Sequence, residues 1–233
     1  MIHLTIIIPV YNEVKTINTL LKKVLDLKIK KQVIIIDDFS TDGTRKVLLK
    51  YKNKVNKIIF HNSNLGKGAA IQTARKFIKG RYVVIQDADL EYNPKDLLKL
   101  LKKLKRFKLD VVYGSRVLKK NKYQNTKNFT HLIRIWGNVF LTFISNKINK
   151  QNLTDAHTCY KMFESNLFKS IDLKENDFAF CPEVNAKISL LNEKILELPI
   201  SYKGRNIQEG KKIRFTDALK ALSTIIKYKY FKI

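Results

Sequence analysis

The sequence predicts an α/β fold in which a mostly parallel central sheet is covered by helices on both faces. Strand-like and helix-like patterns alternate through the first half of the 233 residues. The strand-like runs are apolar throughout, which is typical of parallel strands buried on both faces. Polar side chains gather directly after these runs, at the carboxyl ends of the strands, where sheets of this kind bind ligands.

Five strands and four helices are predicted in this half, from runs of β-branched residues and from apolar residues at 3.6-residue spacing. The predicted strands are Leu4 to Val10, Val33 to Ile36, Ile58 to His61, Tyr82 to Ile85 and Val111 to Tyr113. The predicted helices are Glu13 to Leu27, a segment from Asp42-Gly43 to about Tyr51, Ala69 to Ile78 and the segment after Asn93-Pro94. Strand and helix therefore alternate, as a parallel sheet requires.

The regular alternation ends after residue 116. The polar segment Lys119 to Asn128 predicts a mobile loop. The later predicted elements are helices at His131 to Ile148, Pro182 to Leu191 and Arg214 to Tyr230, a strand at Ile195 to Tyr202 and a basic loop at Gly204 to Lys212. The first and last of these helices are amphipathic, and the last is basic. We expect a single domain over residues 1–233.

The excess of lysine over arginine among the basic residues argues against a nucleic-acid partner. There are 46 basic and 20 acidic residues, a formal net charge of +26, and 38 of the basic residues are lysines against 8 arginines. Base recognition favours the bidentate guanidinium of arginine, and no nucleic-acid-binding motif is present. The lysines suit phosphates or an anionic membrane surface, and a general compositional bias explains them equally well.

The sequence predicts a cytoplasmic protein without a membrane-spanning anchor. Cys159 and Cys181 are too few for a disulfide framework and lack the spacing of a metal site. A strand-like run follows Met1 directly, so no secretion signal is expected. The longest charge-free stretch of the apolar middle, Ile135 to Asn146, has 12 residues, whereas a membrane span needs about 20.

Three carboxylates follow the fourth predicted strand: Asp87, Asp89 and Glu91. Side chains two residues apart converge only where the strand has ended, so we place these groups at the tip of the sheet. Carboxylates this close repel one another, and a hard divalent cation relieves the repulsion. The alternative is a solvated turn in which the aspartates act as helix caps.

Eight segments of the sequence occur in a characteristic order. The first five are IIIPVYNE (6–13), IIDDFSTDGT (35–44), NLGKGAAIQTA (64–74), VIQDADLEY (84–92) and VVYGSR (111–116), and in this order they resemble the inverting glycosyltransferases of family 2. The others are LTDAHTCYKMF (153–163), FAFCPEV (178–184) and YKGRNIQEGKKI (202–213), which are similar to dolichol-phosphate mannosyltransferases and bacterial polyprenyl-phosphate glycosyltransferases. The resemblance implies the GT-A fold, with residues 1–116 as the nucleotide-sugar-binding half and 117–233 as the acceptor-side half.

The resemblance also implies the donor site. Its nucleotide-binding residues correspond to Pro9, Tyr11, Glu13 and Asp38, although Asn12 and its neighbours also suit a helix N-terminus. Its metal ligands correspond to Asp87, Asp89 and Glu91 and would hold Mg²⁺ or Mn²⁺, with Asp89 counted among the catalytic residues. Gly66-Lys67-Gly68 suits either a phosphate-cradling loop, in which Lys67 contacts the donor, or two tight turns.

The acceptor side follows from the same resemblance. Arg116 is expected to hold a phosphate, with further cations at Arg205, Lys212 and His131, although the segment around Lys212 departs from the family pattern. A phosphate monoester is ionised at neutral pH and needs placement rather than a general base, whereas a hydroxyl acceptor needs a base. The segment 180–185 lacks the usual base after Glu183, which favours a phosphate. Asp155 is the other candidate base, or it orients Lys161 or a loop.

The predicted function is transfer of a sugar from a GDP- or UDP-sugar to a polyprenyl or dolichyl phosphate at the inner face of the cell membrane. The alternative acceptor is a sugar hydroxyl in surface polysaccharide or glycolipid assembly. The amphipathic helices 131–148 and 214–230 suggest peripheral membrane contact, unless both pack their apolar stripes on the sheet. A membrane-protein partner is possible. A nucleotidyltransferase and a nucleic-acid-binding module are the alternatives from other classes.

Overall fold

The computed structural model describes residues 2–118, 129–205 and 215–231. The first half contains β1 (Leu4–Val10), α1 (Ile17–Leu25), β2 (Lys31–Asp37), α2 (Thr44–Leu49), β3 (Lys57–Phe60), α3 (Lys67–Arg75), β4 (Tyr82–Ile85), α4 (Asp96–Phe107) and β5 (Val111–Ser115). The second half contains α5 (Phe129–Asn149), β6 (Lys161–Glu164), α6 (Ser165–Ser170), α7 (Phe180–Leu190), β7 (Ile195–Pro199) and α8 (Phe215–Tyr230).

The strands form one seven-stranded sheet in the order β3-β2-β1-β4-β6-β5-β7. All neighbouring strands run parallel except β6, which is antiparallel to both β4 and β5. The central strands are buried on both faces, as the apolar runs predict: Ile6, Ile7 and Ile8 of β1 are inaccessible to solvent. The predicted mostly parallel α/β sheet is therefore confirmed.

Several predicted boundaries differ from those observed. Helix α1 begins at Ile17 rather than Glu13, because Thr16 holds the N-cap position and residues 11–13 form the loop after β1. Asn12 is therefore not the helix cap. Its backbone has a φ of 49° and its side-chain oxygen accepts a hydrogen bond from the amide of Thr41 (2.8 Å), which ties together the loops after β1 and β2.

Two elements, β6 and α6, were not predicted from the sequence. β6 has only four residues and begins with Lys161, a lysine with no exposed surface. The ammonium of Lys161 donates to the carbonyl oxygens of Ala156 (2.8 Å) and Thr158 (2.7 Å), which satisfies the buried charge. The predicted loop Lys119 to Asn128 lies outside the described residues. So does the part of the predicted loop Gly204 to Lys212 that follows Arg205.

Candidate active site

The carboxyl edge of the sheet brings together residues from all parts of the chain. Tyr11 and Glu13 follow β1, Asp38 follows β2, and Arg116 follows β5. Because β6 is antiparallel, its amino end lies at the same edge and brings Asp155 there. The loop after β7 is held in place by a bridge between Tyr92 and Tyr202. The predicted clustering of polar groups at this edge is observed.

The loops after β1 and β2 form one side of this edge. Tyr11 is partly exposed (36%), so its ring is accessible to a ligand. Asp38 is buried and its oxygens accept hydrogen bonds from His61 Nδ1 (2.8 Å) and from the amides of Leu65 (2.9 Å) and Gly66 (2.7 Å). Asp38 therefore fixes the loop before α3. Pro9 lies within β1, in register with Ile36.

The glycines of the Gly66-Lys67-Gly68 segment are required by close packing. Gly66 has a φ of +98°, and a Cβ atom added there would collide with the carbonyl oxygen of Asn176. A Cβ atom on Gly68 would collide with the carbonyl oxygen of Glu175. Gly66 takes the N-cap position of α3, and Lys67 and Gly68 begin that helix, with the side chain of Lys67 directed toward Asp87.

Four carboxylates, Glu13, Asp87, Asp89 and Glu91, form what we call the acidic cluster. Lys67 Nζ lies 2.5 Å from Asp87 Oδ1. Arg205 contacts three of these four carboxylates. Its guanidinium donates two hydrogen bonds of 3.0 Å to Glu13, and its Nη2 lies 3.4 Å from Asp89 Oδ2. The backbone amide of Arg205 donates to Glu91 Oε1 at 2.8 Å. Arg205 thus links the nucleotide-binding and metal-binding candidates.

The environment of the acidic cluster changes the pKa values of Asp89 and Lys67. Burial, together with the negative charges of Asp87 and Glu91, raises the pKa of Asp89 to about 7. Burial opposes the charge of Lys67, but the carboxylate of Asp87 outweighs it and raises the pKa of Lys67 above its ordinary value. The cluster therefore carries negative charge that Lys67 and Arg205 only partly neutralise.

The donor chemistry of the cluster fits a divalent cation. Within the described part of the chain, no group of three or more His, Cys, Asp or Glu side chains is arranged to hold a metal ion. The carboxylates of Asp87 and Asp89 are nevertheless hard oxygen ligands, and their side chains are 21% and 18% exposed, so an ion can reach them. After burial, repulsion by Asp87 and Glu91 contributes to the raised pKa of Asp89, and a divalent ion would relieve that repulsion.

Arg116 and Asp155 form a buried ion pair beside this cluster. Asp155 accepts hydrogen bonds from Nε (2.7 Å), Nη2 (2.7 Å) and the backbone amide (3.0 Å) of Arg116. Burial opposes the charge of Asp155, but the guanidinium lowers the pKa of Asp155 to about 2. Asp155 therefore stays ionised and orients Arg116, a partner that the sequence did not predict for it.

Glu183 belongs to the segment in which the family's base was expected and found missing, and its carboxylate is also engaged. Glu183 is fully buried and accepts hydrogen bonds from the amides of Lys174 (2.7 Å) and Glu175 (3.0 Å), and Lys187 lies 2.8 Å from it. These contacts fix the segment before α7. Glu183 is thus a structural residue.

Two further residues of the site were not predicted. The hydroxyl of Tyr202 donates to Glu91 Oε2 (2.7 Å), and its ring lies 5.1 Å from the guanidinium carbon of Arg116. Asn138 of α5 contacts both members of the ion pair, Arg116 at 3.3 Å and Asp155 at 3.2 Å. Tyr202 belongs to the segment YKGR that resembles the family, whereas the sequence gives no signal for Asn138.

Two predicted acceptor residues cannot be placed. Lys212 lies outside the described residues, and for His131 only the backbone position, near the start of α5, is described. The predicted residues that the structure brings together are Glu13, Lys67, Asp87, Asp89, Glu91 and Arg205, with Arg116 and Asp155 beside them.

Fold and site together define a glycosyltransferase of the GT-A type. Residues 5–172 match the family model described as glycosyl transferase family 2. Because this match covers most of the 233 residues, the chain belongs to glycosyltransferase family 2.

Similar proteins include transferases named for lipid phosphates. A dolichyl-phosphate beta-glucosyltransferase of Trichomonas vaginalis is 27% identical over an alignment 250 positions long, which covers 99% of this chain and 74% of the relative. A dodecaprenyl-phosphate galacturonate synthase of Rhizobium johnstonii is 25% identical and covers 88% of this chain and 60% of the relative. Both agree with the branch of the family that the sequence resembles.

Solved structures share the fold at low sequence identity. Glucosyl-3-phosphoglycerate synthase from Mycobacterium tuberculosis, in complex with Mn²⁺, uridine diphosphate and phosphoglyceric acid, has a TM-score of 0.70 and 15% identity. The match covers 98% of this chain and 78% of that chain. This likeness supports the GT-A fold.

Proposed function

We propose that this glycosyltransferase moves a sugar from a nucleoside-diphosphate sugar to a polyprenyl or dolichyl phosphate, with inversion at the anomeric carbon. Two relatives that match most of the chain are named for lipid phosphates, dolichyl and dodecaprenyl phosphate. The reaction would take place at the inner face of the membrane.

The acidic cluster is the proposed donor site. Tyr11 and Glu13 lie beside it at the end of β1, where an aromatic ring and a carboxylate can contact a nucleoside. Asp87 and Asp89, with Glu91 close by, would hold Mg²⁺ or Mn²⁺. When bound, the ion neutralises negative charge on the departing nucleoside diphosphate. Lys67, already paired with Asp87, adds a positive charge on the same side.

The state of Asp155 carries the choice of a phosphate acceptor. Its ion pair with Arg116 and its low pKa leave it unable to take a proton from a hydroxyl group near neutral pH. An acceptor phosphate is already ionised and needs only a cation to position it. The contacts of Arg116 to Asp155 and Asn138 use Nε and Nη2, so Nη1 can be directed at a phosphate oxygen.

The proposed step is a single displacement. An acceptor phosphate oxygen forms the bond to the anomeric carbon while the bond to the diphosphate oxygen breaks, and that oxygen keeps the electron pair. No proton has to move in this step. Arg116 would position the attacking phosphate, and Arg205 and Lys67 would stabilise the negative charge that develops on the leaving group.

The alternative acceptor is a sugar hydroxyl, which would need a general base. Asp89, whose pKa is raised by burial and by its acidic neighbours, would serve as that base only without the metal ion, because a bound cation lowers the pKa of its carboxylate ligands. The two reactions give different products. A sugar joined to a phosphate is labile to mild acid, whereas an ordinary glycosidic linkage is stable under the same conditions.

The test is a transfer assay with purified protein. UDP- and GDP-sugars are incubated with short-chain polyprenyl phosphate and Mg²⁺ or Mn²⁺, and the acid lability of the product is scored. Asp89→Ala should abolish metal-dependent transfer, whereas the exposed control Asp26→Ala should retain it. Full activity of Asp89→Ala, or an acid-stable product, would contradict the proposal.

A further inference from the structure

Helix α5 buries three polar side chains and exposes four large apolar side chains. Thr142, Ser145 and Asn149 are 4%, 0% and 2% exposed. The exposed residues are large and apolar: Trp136, Val139, Phe140 and Phe143, with exposed fractions of 70%, 41%, 60% and 57%. A surface helix in water shows the opposite arrangement, as α4 does by burying Leu97, Leu100 and Leu104.

The four apolar residues form one stripe, because their spacing of three, four and seven positions returns to the same side of a helix. We call this stripe the outer face of α5. The sequence predicted an apolar stripe on this helix and left open whether it packs on the sheet. In the structure, Trp136, Phe140 and Phe143 of that stripe are exposed instead.

Part of the inward side of α5 contacts the active site. Asn138 contacts Arg116 and Asp155, and the hydroxyl of Thr142 accepts a hydrogen bond from the amide of Ala156 (3.3 Å), next to Asp155. Asn138 and Thr142 therefore face inward and support the ion pair. On the outer face, Trp136, Phe140 and Phe143 are each more than half exposed.

We propose that the outer face of α5 docks onto an anionic lipid bilayer. Tryptophan and phenylalanine are favoured at the boundary between headgroups and acyl chains. The net charge of +26 attracts the chain to an anionic surface, and it opposes a second copy of the same chain. Lys147 and Lys150 are exposed near the end of α5, where they can meet lipid phosphates.

Docking by this face would place the active site close to the headgroups. Asn138 lies two positions from both Trp136 and Phe140 in the chain, and its side-chain oxygen is 3.3 Å from Arg116 Nη2. Only the width of one helix, about 10 Å, separates the outer face from the ion pair. The inference rests on the proposed function, whose acceptor lies at a membrane, and it names the surface that meets the lipid. Lipid binding can be measured without any sugar transfer, so failure of the docking surface and failure of the proposed reaction are distinguishable.

The chain contains a natural probe of this surface. Trp136 is its one tryptophan, so intrinsic tryptophan fluorescence reports on the outer face alone. Adding vesicles of phosphatidylcholine and phosphatidylglycerol should shift the emission to shorter wavelength, and brominated acyl chains should quench it. Vesicles of phosphatidylcholine alone should bind more weakly, since they lack the anionic charge.

Variants distinguish binding by the outer face from non-specific binding by exposed apolar side chains. Phe140→Ser/Phe143→Ser keeps Trp136 as the probe and should weaken vesicle binding at least about tenfold, since burying one phenylalanine contributes on that order. The matched control is Leu49→Ser/Phe107→Ser. Leu49 and Phe107 are 57% and 52% exposed, at the ends of α2 and α4, and their loss should change binding less than twofold.

Three results would overturn the inference. The first is vesicle binding in which the Trp136 emission does not shift, which would assign attachment to the lysines alone. The second is equal loss of binding in both double variants. The third is a dimer, measured by sedimentation, that the Phe140→Ser/Phe143→Ser variant converts to a monomer, together with a Trp136 emission that vesicles do not change. The outer face would then be an interface between copies of the chain.

Discussion

Replacing Asp155 by asparagine tests the role assigned to the buried ion pair. Asp155 has no exposed surface, and the side chain of Arg116 is 15% exposed. The substitution keeps the shape of the side chain and removes its charge, so the guanidinium is left largely buried without its counter-ion. The same substitution at the exposed Asp26 is the control.

The expected loss of stability follows from the pair itself. The shift in the pKa of Asp155 from 3.8 to about 2 corresponds to about 2 kcal/mol. Leaving a buried charge without its partner costs about 3–5 kcal/mol. Since Arg116 keeps its contact to Asn138, we expect Asp155→Asn to lower the free energy of unfolding by about 3 kcal/mol, or the melting temperature by roughly 6–12 °C.

A double-mutant cycle measured by urea unfolding gives the coupling. Arg116→Met leaves the carboxylate of Asp155 buried without its partner, so it should also destabilise the protein. The double variant Asp155→Asn/Arg116→Met has no unpaired charge and should lose less than the sum of the single losses, by about 2 kcal/mol. If the losses add to within about 0.5 kcal/mol, the two side chains act independently and the positioning role is refuted. The exposed control should change stability by less than about 0.5 kcal/mol.

Three further predictions use other features. Folding lowers the pKa of Asp155, so the stabilising contribution of this carboxylate is present above pH 3.8 and is lost as the pH falls toward about 2. Acid unfolding monitored by circular dichroism should show this loss in the native chain and not in Asp155→Asn. Gly68→Ala forces a Cβ atom onto the carbonyl of Glu175 and should cost about 2 kcal/mol or more in urea unfolding. The control is Gly137→Ala in α5, where an added Cβ atom meets no other atom within 4 Å, so this variant should be neutral or stabilising by about 0.5–1 kcal/mol. Arg205→Met removes a positive charge 3.4 Å from Asp89 and should strengthen Mn²⁺ binding about tenfold by titration calorimetry without donor; weaker binding would mean that Arg205 organises the ligands.

The clustering of the carboxylates proposed for the donor could be predicted because it depends on local sequence and on one rule of topology. Glu13, Asp87 and Asp89 each follow a buried apolar strand, and parallel strands bring their carboxyl ends to one edge. The loop motifs therefore identify both the residues and their common location. Helix limits were less accurate: α1 begins four residues later than the predicted Glu13, because the loop after β1 takes up those residues.

The acceptor side could not be predicted in the same way, because its contacts join distant segments. Arg116 and Asp155 are 39 positions apart, and nothing in either segment specifies their pairing. β6 is four residues long and begins with a buried lysine, so hydropathy does not reveal it. The orientation of α5 was also beyond the pattern, since an amphipathic sequence does not show which side faces the protein.

The antiparallel strand β6 has a consequence for how the enzyme can move. Val84 of β4 and Val112 of β5 are both in register with Met162 of β6, so a strand from the second half of the chain is hydrogen-bonded between two strands of the first. The groups assigned to donor and acceptor are thus mounted on one continuous ladder of backbone hydrogen bonds. Strand registry therefore constrains the spacing of these groups, and a hinge between two separate sheets is not available to change it.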